Sequence, residues 1–75
     1  MDNSVKASVK LRAGRCLRIL IEENYRTQQE FADDHHYELR TVNRWINDGV
    51  GFVDTIQELA GHFGLDFFEF FDASP

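Results

Sequence analysis

Two apolar rhythms meet within residues 27–47, TQQEFADDHHYELRTVNRWIN, and the break in phase between them is the strongest constraint on the fold. Thr27 and Glu30 stand three apart, directly before Phe31 and Ala32, so hydroxyl and carboxylate can each satisfy an orphan amide at a helix start. A helix is therefore expected over residues 28–35. It cannot run far, because Asp33, Asp34, His35, His36 and Tyr37 offer no continuing apolar stripe. A second periodic run, Leu39, Val42, Trp45 and Ile46, predicts another helix over residues 39–47, with Val42, Trp45 and Ile46 inward. Two helices with so few linking residues must cross at a steep angle.

The flanking segments also read as helices. A first helix is expected from Ser8, a usable N-cap, to Asn24 or Tyr25, carrying Leu11, Leu17, Leu20 and Ile21 inward. Gly14 costs that helix a little stability. Residues 48–51 form a turn with two glycines, and a helix over residues 53–63 buries Ile56, Leu59, Ala60 and Phe63. Gly64 is its left-handed C-cap, and Asp66 caps a last short helix over residues 67–71. Nothing reads as a strand, a repeat or a low-complexity linker. The expectation is an all-α fold of five helices, with residues 1–10 as a flexible basic arm, residues 11–72 as the domain, and Pro75 outside it.

A chain of 75 residues makes one domain, and a domain of that size buries only about 60% of its extended surface. Ten aromatic side chains, seven of them Phe, compensate in part, and dimerisation would add more. Cys16 is the only cysteine, which excludes an internal disulfide and points to a reducing compartment. No apolar run approaches the roughly twenty residues of a membrane span, and no signal pattern opens the chain. These features imply a soluble, cytoplasmic protein.

Charge is unevenly distributed. Eight cations and thirteen acids give a net of −5, which by itself repels a polyanion. All eight cations lie at or before Arg44, where they outnumber the acids by one; residues 45–75 carry six acids and no lysine or arginine. Residues 5–20 hold five cations and no acid. If the fold sets this basic stretch and the helix over 39–47 on one face, the molecule is a dipole.

Three strings in order, Thr27-Gln28-Gln29-Glu30-Phe31-Ala32, Thr41-Val42-Asn43-Arg44-Trp45 and Leu59-Ala60-Gly61-His62-Phe63-Gly64-Leu65, resemble the phage Cro and Xre-type repressor helix-turn-helix family. The resemblance runs over about residues 17–71. It implies a compact five-helix lambda-repressor-like domain with its helix-turn-helix over residues 28–47. It also implies a dimer that binds double-stranded operator DNA and controls transcription without a cofactor. His35 stands where the family has an aliphatic core residue, and His36 where it has glycine, a position that asks for positive φ. The loop 48–51 is shorter than the family's and has no cation to grip phosphate.

Arg40 and Arg44 stand four apart on the side of their helix opposite Val42 and Trp45. A guanidinium fork matches the paired acceptors of guanine, a contact that discriminates by about 1–3 kcal/mol. The resemblance places base reading in the first turn of this helix, at Leu39 and Arg40, with Arg44 one turn later. Leu39 can meet a thymine methyl or pack against the preceding helix. Thr41 and Asn43 suit phosphate or sugar. Gln28, and less strongly Gln29, lie where the family clamps the DNA backbone, and Lys6 and Lys10 could reach a neighbouring phosphate or groove.

Other chemistries find little support. No serine or cysteine nucleophile stands with a positioned base, and no glycine loop cradles phosphate. Asp33-Asp34-His35-His36 looks metal-binding on paper, but adjacent helical histidines diverge by about 100° and no zinc spacing is present. His62 reads as a surface residue without an evident partner. In the last helix, positions 67, 70 and 71 share an inward face, which leaves Phe68 outside. A symmetric dimer is expected through that helix and the loop preceding it, with Phe68, Phe52 and Phe71 at the interface. The rival reading keeps the fold without the DNA: a regulatory partner for another protein, such as an antirepressor, an antitoxin-like adaptor or an acidic DNA mimic.

Overall fold

A computed structural model describes residues 4–73. Helix α1, Ala7–Asn24, is followed by α2, Gln28–Asp34, α3, Leu39–Asp48, α4, Val53–His62, and α5, Phe67–Phe71. The fold is all-α, with five helices and no strand among the described residues. Its Cα radius of gyration, 11.3 Å, matches the roughly 11 Å of a folded chain of this length.

Local chemistry sets several of the helix ends. Thr27 Oγ1 accepts from the Glu30 amide at 3.1 Å, the hydroxyl half of the expected capping box. Asp66 and Glu69 form the complete box at α5. Beyond α4, Gly64 takes a φ of 73°, its amide donates to the Gly61 carbonyl and the Leu65 amide to that of Ala60. The end of α2 repeats the pattern with His36 at φ 61°, its amide on Asp33 and the Tyr37 amide on Ala32. Both are left-handed closures that satisfy orphan carbonyls, one built on glycine and one on histidine.

The amino-terminal segment differs from expectation. Ser4 bridges Phe52, the Val5 amide donates to the Gly51 carbonyl, and α1 starts at Ala7 with Lys6 as an uncapped N-cap. Ser8 lies inside the helix because pairing with the loop before α4, and not a hydroxyl cap, fixes where helix begins. From Ser4 onward the expected arm is therefore docked, and its residues 1–3 lie outside the described residues, as does Pro75.

Thirteen side chains form one buried cluster, with Phe31, Phe70, Leu17, Ile21, Ile56 and Leu59 the largest. Leu11 is not among them and is 47% exposed. It lies six residues from Leu17, which at about 100° per residue turns it some 120° off the inward stripe. Ala13 and Cys16 fill that stripe instead. No polar or charged described residue is buried, so the interior carries no desolvated charge.

Candidate nucleic-acid interface

Helix α3 is held at both ends. At its carboxyl end, Gly14 of α1 comes so close that a Cβ there would stand 2.5 Å from the Trp45 carbonyl oxygen and 3.0 Å from that of Ile46. The glycine that weakens α1 thus lets α3 lie directly on it. At its amino end, the α2–α3 turn is packed by rings. Phe31 stacks on Phe63 with centroids 5.6 Å apart, and Tyr37 meets Trp45 edge-on at 5.1 Å.

Polar groups complete this packing. The Tyr37 hydroxyl donates to Glu58 Oε2 and lies 2.7 Å from His62 Nε2; the Tyr25 hydroxyl donates to Asp34 Oδ2 at 2.6 Å and lies 3.0 Å from His35 Nε2. The two imidazoles stack with centroids 3.8 Å apart. The hydrogen bond to Asp34, with burial second, pushes the Tyr25 hydroxyl up to about 12. Burial first, then the bond to Glu58, raises Tyr37 as well. For His62, burial and the facing His35 lower the pKa against the pull of Glu58 and Asp34. His62 is therefore no bare surface residue. Only its one-turn spacing from Glu58 hinted at this, since its main partners lie on other elements.

On the opposite side of α3, Arg40 and Arg44 are exposed and take part in no hydrogen bond or ion pair among the described residues. Leu39 is half-buried yet stands apart from the side chains packed on the core, so it borders this face. Thr41 and Asn43 are half-buried on its flanks, and Glu38 is the exposed N-cap with no side-chain cap bond. Gln28 opens α2, half-buried. Gln29 is exposed, but its amide donates to Asp33 Oδ1 at 2.7 Å.

Lys6 is exposed, whereas Lys10 is drawn against the loop before α4. Its carbonyl accepts from the Val50 amide at 3.0 Å, and its Cδ and Cε lie 3.7 and 3.8 Å from where a Gly51 Cβ would stand. The ammonium thus emerges beside a loop that has no cation of its own. Cys16 is buried, with its Sγ 3.8 Å from the Phe71 carbonyl.

The aromatic residues of the expected dimer surface divide. Phe68 is 79% and Phe52 56% exposed. Phe71 packs on the core, and the Arg12 guanidinium lies 5.8 Å from its ring centroid, so most of its surface is spent within the chain. Among the described residues no group of three or more His, Cys, Asp or Glu side chains could hold a metal ion. No helix among the described residues is long and apolar enough to cross a membrane.

The chain matches no family model, no curated protein and no solved structure.

Proposed function

We propose that this protein is a sequence-specific DNA-binding regulator of the phage Cro and Xre-repressor kind, acting as a homodimer on a two-fold operator. One observation carries the reading: the outward face of α3 presents Arg40 and Arg44, four residues apart, with no acidic partner within the described residues. An unpaired arginine pair on one face of a helix fits the guanine edges of a major groove. Leu39 adds apolar contact, and Thr41 and Asn43 meet sugar or phosphate. Gln28 and Gln29, with Lys6 and Lys10, fix the register on the backbone. Lys10 supplies the loop 48–51 with the cation that its own sequence lacks. Phe68 and Phe52 lie at the dimer contact, and two α3 helices then fall roughly 34 Å apart, one turn of duplex.

Selection of bound duplexes from a random pool tests this, followed by a salt titration on the selected site. A DNA reader enriches a two-fold sequence, and log K falls with log salt by about 0.9 for each phosphate engaged. A second reading, a protein-binding adaptor, is favoured by the exposed Phe68 next to Glu69 in an acidic carboxyl half. It predicts no enrichment, a flat salt response and a tight heteromeric complex.

A further inference from the structure

Two carboxylate–tyrosine–histidine sets face each other across the α2–α3 turn: Asp34, Tyr25 and His35 on one side, Glu58, Tyr37 and His62 on the other. Each tyrosine has one hydroxyl proton and gives it to its carboxylate. Its oxygen can therefore only accept from the imidazole, so both rings carry their proton on Nε2 when neutral. The rings then lie face to face, inclined by 27° at 3.8 Å. Phe31 packs on both of them, at 5.0 Å from His35 and 6.3 Å from His62.

This arrangement accepts one added proton more readily than two. A first proton on either Nδ1 leaves the Nε2 bond to tyrosine intact and is balanced by a nearby carboxylate; Asp34 Oδ2 also lies 3.4 Å from His35 Nε2. A second proton sets two cations ring against ring. The charged and titratable groups facing the pair are Tyr25 from the end of α1, Asp34 from α2, Tyr37 from the turn and Glu58 from α4, while Glu30 acts on Tyr25. Trp45 is the nearest ring from α3, through Tyr37. His36 is exposed and belongs to neither set.

We propose that the His35–His62 stack is an acid-sensitive latch: double protonation drives α4 from the α2–α3 turn and loosens the seat of α3. The latch acts on the crossing of two helices and holds whether or not α3 meets DNA. Stability follows with a definite sign. Because His62 in the folded chain lies below its ordinary 6.5, the unfolded chain takes up the proton first as pH falls. Stability is thus full above about 6.5 and declines from there toward the folded value.

Nuclear magnetic resonance of the full chain from pH 8 to 4.5 tests the latch by following the histidine ring protons and the amide protection factors. The His62 ring is expected to titrate below the ordinary imidazole range. Across that titration, protection of the Tyr37 amide should fall by at least about fivefold, the lower bound set by two like charges some 4 Å apart when water screens them fully. Amides in the middle of α1 should lose less protection than Tyr37, since they open only with the whole fold. His62→Gln still donates to the Tyr37 oxygen but takes up no proton, so it should abolish the fall, while His36→Gln should leave it in place. A His62 titration at the ordinary imidazole value, or a Tyr37 protection factor constant through the acid range, would overturn the proposal. The wild-type profile decides the matter even if His62→Gln fails to fold.

Discussion

The two sides of the α2–α3 unit treat polar groups in opposite ways. On the inner side, Tyr25 bonds Asp34 and His35, Tyr37 bonds Glu58 and His62, the two histidines stack, and the rings pack on Phe31. On the outer side, Arg40 and Arg44 have long charged side chains and no partner among the described residues. The difference separates two uses of the same segment. Groups paired within the chain hold α3 at its angle, and groups left unpaired on a helix so held are free to meet a ligand. Substitutions on the inner side should therefore act on stability and those on the outer side on binding.

The largest expected effect comes from beneath α3. Gly14→Ala would drive a methyl against the Trp45 carbonyl, and overpacking of this kind costs about 1–3 kcal/mol despite alanine's better helix propensity. Chemical denaturation checks it, and a gain in stability would show that α1 and α3 do not touch there. Next comes Tyr37→Phe, which leaves Glu58 and His62 without their shared hydroxyl at a net cost of about 1 kcal/mol. No change in the unfolding midpoint would mean that the inner network is ornamental. The two left-handed closures sharpen the comparison further: His36→Gly should stabilise by up to about 1 kcal/mol, and Gly64→Ala should cost a similar amount. The smallest effect is on the outer side, where Arg40→Ala or Arg44→Ala should move stability by less than about 0.5 kcal/mol.

Much of this architecture was legible because it is local. The Thr27 cap, the Asp66–Glu69 box, the left-handed Gly64 and the break at His35 and His36 are written within three or four residues of where they act. Helix ends fell within a residue or two of expectation for the same reason. What the sequence concealed depends on distant partners. Gly14 looked like a weak point in a helix until Trp45 and Ile46 stood over it, and Ser8 looked like a cap until residues 4 and 5 paired with residues 51 and 52. His62 found Tyr37, twenty-five residues away, and His35 on another helix. Leu11 falls outside the buried stripe for a simpler reason, since its spacing from Leu17 breaks the helical period. The outward arginines were legible because a strong inward stripe through Val42 fixes which way the opposite face looks.

The central claim is that the bare face of α3 reads base pairs, and Arg40→Ala measured on two duplexes tests it most directly. Affinity for the selected operator and for a scrambled duplex of equal length would be compared at one salt concentration, with folding confirmed by circular dichroism. The account predicts a loss of about 1–3 kcal/mol on the operator and little change on the scrambled duplex. Equal losses on both duplexes, or no binding to either even in dilute buffer, would contradict it.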